Sequence, residues 1–536
     1  MADIKRDQDA LFSTIYKIAT DLVHAGHVSE WDFKSYVLVT MFYRYISENL
    51  TAYINEGERA AGDTGFDYAQ MSDADAEGAR EGLIEEKGFF MLPSELFENL
   101  RTAAKSDTAV FTDREGNPKS VKDNLNERLE MIFNNIEDSA KGSESESSFA
   151  GLFDDFDVNS KSIGETVAKR NKVLLALLDG VARMPLYSTE GINADLFGDA
   201  YEYLMGMYAA NAGKKGGQYF TPADVSELLA RLGAIGKTTV NKVYDPACGS
   251  GSLLLKVERV LGKENIRQGF FGQEIDLTTY NLCRINMFLH NIAFDKFSIV
   301  REDTLVAPQH WDDEPFDLIV SNPPFSVPWE GDTNPVLIND PRFSPAGVLA
   351  PRSKGDMAFI MHCLSWLAAD GAAAIVCFPG IMYRSGAEQK IRKYLIDNNF
   401  VDAVIQLPAN LFLNVTISVD IMVLRKNKKD SSVLFVDASR EFIKVTKNNH
   451  LTDENIANIV GAVADRSEKE YFSKLVRYED IAAEGYNLSV STYVEAEDTR
   501  PKIDIQKLNA EIEAIVAREE TLRREIAAII KEIEGQ

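Results

Sequence analysis

The chain has 536 residues, of which 45% are hydrophobic and 26% are charged, a composition typical of globular proteins with two or three domains. It carries 57 lysines and arginines against 83 aspartates and glutamates, and the net charge of −26 would repel a polyanion if it were spread evenly over the surface. This balance argues against strong DNA binding by the chain alone.

The four cysteines and six histidines show no metal-ligand spacing, because neither a Cys-x-x-Cys nor a His-x-x-x-His pair occurs. We therefore expect no metal site, and we expect free thiols in a reducing compartment. The first seven residues lack the apolar core of a signal peptide, and no uncharged run of 18 residues occurs. The sequence predicts a soluble intracellular protein that does not associate with membranes.

Apolar residues recur at helical spacing from residue 9 to about residue 50, and residues 55–160 continue as acidic, helix-rich sequence. This pattern predicts an all-helical N-terminal domain, placed at residues 1–160. Within it, the serine- and glutamate-rich stretch 141–148 predicts an exposed linker.

Between about residues 165 and 430, short apolar runs alternate with helical segments. The runs are residues 242–244, 269–272, 316–320, 373–378, 401–405 and 419–424. Such alternation predicts a parallel, doubly wound sheet in an α/β domain, placed at residues 161–490. In sheets of this kind ligands bind beyond the carboxyl ends of the strands, so the segments after the strands are the candidates for a site.

A glycine-containing turn, residues 245–252, follows the first of these strands and precedes a helix. Glycines there let a ligand approach the backbone at a helix N-terminus. The third glycine of the dinucleotide fingerprint and a Walker lysine are both missing, so hydride and phosphoryl transfer are disfavoured. Glu274 follows the next strand, where it can accept hydrogen bonds from ribose hydroxyls, and Asp303 follows a third apolar run, near the expected position of an adenine amino group.

The most informative segment is a buried strand that stops at Asn322-Pro323-Pro324-Phe325. The exocyclic amine of a base is a poor nucleophile, because its lone pair is delocalised into the ring. The side-chain oxygen of Asn322 and the backbone carbonyl of Pro323 can hold its two N–H groups and favour a more tetrahedral nitrogen. Phe325 can stack on the base, which must leave the duplex to reach such a site.

A loop rich in proline and glycine, residues 329–354, follows this motif and is too long for a simple connector, so we predict a lid or a DNA-contacting loop. Cations concentrate further on, and they are candidates for phosphate contacts, the alternative being a solvated face. These cations are Arg384, Lys390, Arg392, Lys393 and those in the segment 425–429. No helix-turn-helix or zinc finger is recognisable, so sequence specificity is expected in another chain.

Apolar residues near the C-terminus, from Ile505 to Ile533, alternate at spacings of three and four, interrupted at Glu519. The pattern predicts a coiled-coil-type helix in a C-terminal tail, residues 491–536. It either docks on another subunit or packs on its own domain.

In this order the motifs resemble those of the modification (methyltransferase) subunits of type I restriction-modification systems, within the Rossmann-like amino-methyltransferases that use S-adenosylmethionine. The segment from Gly217 to Pro222, Gly-Gln-Tyr-Phe-Thr-Pro, is specific to that family, and its position before the glycine turn resembles the gamma arrangement. Cofactor contacts implied by the resemblance are Gln218, Tyr219, Phe220, Thr221, Pro222, Asp245, Gly249, Ser250, Gly251, Ser252, Glu274 and Asp303. The implied catalytic motif is Asn322, Pro323, Pro324 and Phe325.

The resemblance also implies the setting in which the chain works. It implies transfer of a methyl group to the N6 amine of a flipped-out adenine in double-stranded DNA, which protects host DNA from cleavage. The implied partners are a specificity subunit flanked by two methyltransferase subunits, to which the tail would dock, and a restriction (translocase) subunit. The implied location is the cytoplasm of a bacterium or archaeon.

Other functions fit less well. A cytosine-C5 methyltransferase needs a Pro-Cys nucleophile, and no cysteine here follows a proline. Cytosine-N4 enzymes usually carry serine in place of Asn322, and a protein-glutamine methyltransferase can share the Asn-Pro-Pro-aromatic motif but not the segment around Gln218. A non-catalytic assembly scaffold is the remaining alternative.

Overall fold

The computed structural model of the protein describes residues 12, 16–17, 20, 30–188, 191–192, 194–211, 221–412, 415–497 and 505–535. Its first part is mainly helical, with two short two-stranded hairpins, β1–β2 and β3–β4. The elements are α1 Glu30–Ala61, α2 Asp73–Ala76, α3 Arg80–Lys87, α4 Phe97–Ala103, β1 Val110–Thr112, β2 Pro118–Ser120, α5 Leu125–Ser139, α6 Glu146–Phe149, α7 Val167–Ala182, β3 Tyr187–Ser188, β4 Gly191–Ile192 and α8 Ala194–Asn211.

This helical part has its own apolar core, in which the buried side chains extend from Tyr36 to Leu204. The stretch 141–148, predicted to be an exposed linker, is exposed at five of its eight residues, but Ser145 is 1% exposed and its hydroxyl donates to the carbonyl of Gly88 at 2.5 Å. The buried guanidinium of Arg284 donates to the carbonyl oxygens of residues 147, 148 and 150. Polar composition predicted exposure here, but these polar groups are paired inside the protein.

The second part contains a nine-stranded sheet with the order β15-β12-β10-β11-β9-β8-β5-β6-β7. Its strands are β5 Val240–Asp245, β6 Ile266–Glu274, β7 Phe297–Arg301, β8 Phe316–Ser321, β9 Leu367–Cys377, β10 Val401–Gln406, β11 Asp420–Arg425, β12 Val433–Asp437 and β15 Ser473–Val476. Strands β11 and β15 pair antiparallel with their neighbours, and the other seven run in one direction. The predicted α/β class and doubly wound sheet are confirmed.

Chain order reverses at β5, which lies between β6 and β8. The chain moves outward through β6 and β7 and then returns to the other side of β5. Loops that leave adjacent strands in opposite directions open a crevice at such a point. The glycine turn after β5 and the Asn-Pro-Pro-Phe segment after β8 therefore lie next to each other.

Helices and a small hairpin complete this part. They are α9 Ala223–Ala234, α10 Ser252–Leu261, α11 Leu277–Leu289, α12 Pro335–Ile338, α13 Asp356–Trp366, α14 Ala387–Asp397, β13 Ile443–Val445, β14 Asn448–His450, α15 Asp453–Asp465, α16 Tyr478–Ala483 and α17 Val490–Tyr493. Apolar clusters cover both faces of the sheet, and successive residues Ile319 and Val320 of β8 face opposite clusters, as pleating requires. Helix α11 places Leu282, Ile285 and Leu289 in the core of the helical part.

Residues 495–536 form a separate compact unit that contains one long helix, α18 Ile505–Glu534. A single helix cannot bury an apolar stripe within its own unit, so the heptad residues need a partner surface. The domain limits at residues 160 and 490 stay predictions. Among the described residues, no helix combines the length and the apolar character needed to cross a bilayer.

Candidate functional site

A cavity of about 290 Å³ opens at the carboxyl ends of β5, β6 and β8. Four of its lining residues are acidic, and none of the described residues that line it is lysine, arginine or histidine. The acids are Asp245, Glu274, Glu302 and Asp303. Such a lining repels phosphate groups and suits a ligand with positive charge.

The glycine turn forms one wall of the cavity. Gly251 has φ of +77°, and an added Cβ there would lie 2.8 Å from Sγ of Cys283 and 2.9 Å from Cε of Met287. The absence of a side chain therefore lets α10 begin tightly against α11, which keeps the turn close to the sheet.

Asp245 ends strand β5 and is 1% exposed. Its Oδ1 accepts hydrogen bonds from the backbone N–H of Ala247 at 3.0 Å and from the hydroxyl of Ser321 at 2.7 Å. Burial raises the pKa of this carboxyl to about 7, against the lowering effect of the two hydrogen bonds, and the nearby charge of Glu274 adds to the rise. The carboxyl is therefore poised to gain or lose a proton near neutral pH.

Glu274 joins the end of β6 to the glycine turn. Its Oε2 accepts from the N–H of Gly249 at 3.0 Å, and its Oε1 accepts from the N–H groups of Ile275 and Asp276. Burial raises the pKa of Glu274, and these backbone donors oppose the rise. On the neighbouring strand end, Asp303 is half-buried, and its Oδ1 accepts from the N–H of Leu305 at 2.9 Å. Both carboxylates line the cavity, as the ribose and adenine assignments require.

Asn322 lines the cavity, and one end of its side-chain amide is hydrogen-bonded. Its Nδ2 donates to the hydroxyl oxygen of Thr221 at 3.0 Å, which turns Oδ1 the other way. This Oδ1 is buried and has no hydrogen-bond partner among the described residues. A buried acceptor without a donor costs free energy, about 1 to 3 kcal/mol, unless a ligand supplies the missing N–H.

The turn after Asn322 is held from behind. The backbone N–H of Ser326, which has φ of +53°, donates to both oxygens of Asp356 at 3.0 and 3.1 Å. The half-buried ring of Phe325 lies 6.4 Å from that of Phe378, with an interplanar angle of 55°. Two aromatic rings, from the segments that follow the adjacent strands β8 and β9, thus lie together, one of them three residues after Asn322.

The loop after the motif is anchored to the cavity wall by Arg342, which is 1% exposed. Its guanidinium donates to the carbonyl of Thr304 at 2.7 Å, to the carbonyl of Leu305 at 2.9 Å and to Nδ1 of His362 at 3.2 Å. The remaining donors bind the carboxylate of Asp340, so all five N–H groups are used.

His362 extends this network to the strand beside the cavity. Because burial and the nearby Arg342 charge keep the pKa of His362 far below its ordinary value, the ring is neutral and Nδ1 accepts from the guanidinium. Its Nε2–H then donates to the hydroxyl oxygen of Tyr244 at 2.9 Å, one residue before Asp245. The loop ends also meet, since the N–H of Gly355 donates to the carbonyl of Val327 at 2.8 Å. These contacts hold the segment in place, and its role as a lid or DNA contact stays a prediction.

Five of the eight predicted cations are at least partly buried and engaged by other groups of the protein, whereas Lys390, Lys393 and Lys429 are exposed. The prediction that Arg392 contacts DNA is wrong, because the residue is 1% exposed and its guanidinium donates to two backbone carbonyls. Burial lowers the pKa of Arg392 to about 10 and that of Lys428 to about 8, and Arg425 pairs with Asp402 at 3.1 Å. Arg384 remains near the site, with its guanidinium 4.9 Å from the ring centre of Phe378.

One cluster away from the cavity has ligand-type side chains, Asp199, Glu202 and His290, whose nitrogen and oxygen atoms lie within 4.8 Å of one another. The guanidinium of Arg259 pairs with Asp199 and lies 3.3 Å from Nε2 of His290. An arginine thus already supplies the positive charge in this cluster.

Nine of the sixteen predicted site residues line the cavity together: Thr221, Asp245, Gly249, Ser250, Ser252, Glu274, Asp303, Asn322 and Pro324. Pro222, Gly251, Pro323 and Phe325 lie beside these residues in the chain without lining it. Gln218, Tyr219 and Phe220 fall outside the described residues. The assignment of cofactor and base contacts stays a prediction.

Sequence reasoning missed three side chains that support the site, Ser321, Arg342 and Asp356. Only Asp356 has a local signal, since it follows Gly355 at the start of a helix. Ser321 and Arg342 act through partners that are distant in the chain.

A reversal of strand order, an acid-lined cavity and an Asn-Pro-Pro-Phe segment beside a glycine turn define the class of Rossmann-like amino-methyltransferases. The sequence profile of the HsdM N-terminal domain matches residues 11–181, and that of the N-6 DNA methylase family matches residues 192–502. The type I restriction enzyme MpnII methylase subunit of Mycoplasma pneumoniae is 46% identical over 533 residues, covering 97% of this chain and 95% of the relative.

Solved structures agree with these matches. The type I restriction-modification methyltransferase subunit from Streptococcus thermophilus superposes with a TM-score of 0.79 at 30% identity, covering 91% of this chain and all of that one. A chain from a study of complex assembly in the type I system shares the fold, with a TM-score of 0.61 at 18% identity over 98% of both chains. The chain belongs to the N-6 DNA methylase family, as a methylase subunit of a type I restriction-modification system.

Proposed function

We propose that the acid-lined cavity holds S-adenosylmethionine and that Asn322, at the end of β8, holds the N6 amine of an extruded adenine. The subunit then transfers the methyl group of the cofactor to that amine. The observation that carries the proposal is the buried Oδ1 of Asn322, which lacks a donor while its Nδ2 is fixed on Thr221. An amide held in this way presents an acceptor, which is what an amino group needs.

The cavity fits the cofactor in charge as well as in hydrogen bonding. S-adenosylmethionine supplies a methyl group on a positively charged sulfur, together with an amino group, a ribose and an adenine. Four carboxyl groups line the cavity. Asp245 stands on the side of the glycine turn, where an ionised carboxylate would attract positive charge, and the oxygens of Glu274 and Asp303 can accept from hydroxyl and amino groups.

On the base side, the chain has to improve a weak nucleophile. If Oδ1 of Asn322 and the carbonyl of Pro323 each accept one N–H of the amine, they favour the pyramidal nitrogen that reacts and stabilise the positive charge that develops on it. Because Nδ2 of Asn322 donates to the Thr221 hydroxyl, Oδ1 is the end of the amide that is left to accept from the amine. Phe325, with Phe378 at an angle to it, offers an aromatic surface for the base, and stacking of about 1 to 3 kcal/mol helps to offset extrusion.

We further propose that this subunit assembles with other subunits that bring its site to the target sequence in DNA. The family places the chain in a type I system, and we recognised no base-reading module in its sequence. A specificity subunit flanked by two methyltransferase subunits, with a restriction subunit in the larger complex, would supply recognition. The heptad stripe of α18 is the proposed docking element, and the cytoplasm of a bacterium or archaeon is the proposed location.

The test is Asn322→Ala, compared with Asn241→Ala, which removes an exposed amide at the start of β5, at the opposite edge of the sheet. Methyl transfer to duplex DNA should fall by at least about 100-fold in Asn322→Ala, the typical loss of one preorganised polar group. Binding of S-adenosylmethionine, measured by calorimetry, should stay within several-fold of the wild type. Asn241→Ala should match the wild type in both assays.

Wild-type turnover in Asn322→Ala would overturn the mechanism. Nucleoside mass spectrometry of the methylated DNA identifies the acceptor, since N6-methyladenine is the expected product and N4-methylcytosine would reassign it. Methylation of protein glutamine without methylation of DNA would reject a DNA substrate altogether.

A further inference from the structure

A short hairpin at the rim of the site has properties that the methyl-transfer chemistry does not use. The rim hairpin, residues 440–450, follows β12 and contains β13 and β14. Strand β12 is parallel to β10, and β10 runs in the same direction as β5 and β8. The hairpin therefore leaves the same edge of the sheet as the glycine turn and the catalytic segment.

The base of the hairpin is fixed close to Asn322. Asn449 is 9% exposed and donates from its side chain to the carbonyl of Ala409 at 2.7 Å. Oδ2 of Asp224 accepts from the N–H of Leu451 at 2.8 Å. Asp224 follows Thr221, the partner of Asn322, by three residues, which span at most about 11 Å even when fully extended.

Strand β13 is exposed on both faces, with apolar side chains on one and Lys444 on the other. Ile443 is 51% exposed and Val445 is 43% exposed, and both lysines, Lys444 and Lys447, are exposed. Within the described part of the chain, no carboxylate lies within ion-pair distance of either lysine. The one acidic residue of the hairpin, Glu441, accepts hydrogen bonds from two side-chain amides near the start of α15 instead.

We propose that the rim hairpin contacts the DNA duplex beside the extruded adenine, with Lys444 and Lys447 on phosphate groups and Ile443 and Val445 packed in a groove. The inference rests on the proposed function. The major groove admits a two-stranded ribbon, and two lysines without a carboxylate partner among the described residues complement a polyanion. A protein partner fits less well, because the cores of protein interfaces are depleted in lysine.

The double variant Lys444→Glu/Lys447→Glu tests this in the full chain assembled with its specificity subunit. The control, Lys263→Glu/Lys296→Glu, makes the same charge change before β6 and β7, at the opposite edge of the sheet. The rim variant should raise KM for duplex DNA at least tenfold, with kcat at saturating DNA within twofold. Its log Kd against log salt slope should fall by about 2, one for each lost phosphate contact. The control should change KM less than threefold.

Equal losses in both double variants would show a general charge effect and overturn the inference. Unchanged DNA binding would also overturn the inference, whether or not assembly with the specificity subunit is lost. Loss of assembly would reassign the hairpin to a protein partner. Loss of S-adenosylmethionine binding would show disrupted folding and also count against it. Failure of the proposed function is separate, since Asn322→Ala lowers kcat whereas the rim variant raises KM.

Discussion

Asp245→Asn should stabilise the protein at neutral and alkaline pH. The carboxyl is 1% exposed, and burial raises its pKa from the ordinary value of 3.8 to about 7. An asparagine has the same shape and carries no charge. Its Oδ1 can still accept from the N–H of Ala247 and the hydroxyl of Ser321, so both local hydrogen bonds survive. The substitution therefore removes the cost of burying a charge and little else.

The magnitude follows from the two pKa values. Between pH 3.8 and about 7 the folded protein keeps the proton of Asp245 while the unfolded chain has released it, so the wild type loses stability as pH rises through this window. At about 1.4 kcal/mol per pH unit, the full loss above pH 7 is about 4 kcal/mol. The unpaired NH₂ group of the asparagine costs about 1 kcal/mol, so the free energy of unfolding of Asp245→Asn should exceed that of the wild type by about 3 kcal/mol at pH 8.

Urea unfolding followed by tryptophan fluorescence can measure this difference, because Trp311, Trp329 and Trp366 lie in the same part of the chain as Asp245. The gain in Asp245→Asn should grow from pH 5 to pH 7 and then stay constant. Asp312→Asn, at an exposed carboxylate, should show no pH-dependent gain. Curves for Asp245→Asn and wild type that run parallel from pH 5 to pH 8 would refute the reasoning.

Two further expectations concern Arg342 and the terminal helix. Arg342→Lys removes donors from a network that uses all five N–H groups of the guanidinium, so the free energy of unfolding measured in urea should fall by about 3 kcal/mol. S-adenosylmethionine should also bind more weakly, because Thr304 and the adjoining cavity wall lose support. An unchanged Kd for the cofactor would contradict this coupling. The double variant Ile512→Ser/Ile526→Ser should co-purify less with the specificity subunit, while circular dichroism shows an unchanged helix content. The control Ala514→Ser should co-purify as the wild type does.

The fold of the catalytic part was predictable from the sequence because its signal is local. Apolar runs of three to six residues separated by helical segments predicted a parallel sheet, and strands β5, β6 and β8 lie where the runs at residues 242–244, 269–272 and 316–320 indicated. The reversal of strand order then brings the glycine turn and the catalytic segment together. Candidate functional residues that follow strands can therefore be predicted as well as the strands themselves.

The supporting contacts were not predictable, because they join residues that are distant in the chain. Nothing around Arg342 indicates that it binds the carbonyls of Thr304 and Leu305. The same limit explains the error at Arg392, where a cluster of cations in sequence suggested a surface patch, yet the side chain packs between elements and donates to carbonyls. The composition of a segment gives the number of its charged side chains but not whether they point outward or into the protein.

The direction of the charges also reconciles an acidic chain with a DNA substrate. Four carboxyl groups line the cavity, and Lys444 and Lys447 are exposed on the rim hairpin. At physiological ionic strength, exposed charges more than about 8 Å apart are largely screened, so the remaining acidic surface does not cancel the attraction of these lysines for phosphates beside them. At low ionic strength, where screening is weaker, the acidic surface slows the approach of DNA. A partner that brings DNA to the rim would remove that penalty, and the same partner would supply the sequence recognition for which no module was recognised in this chain.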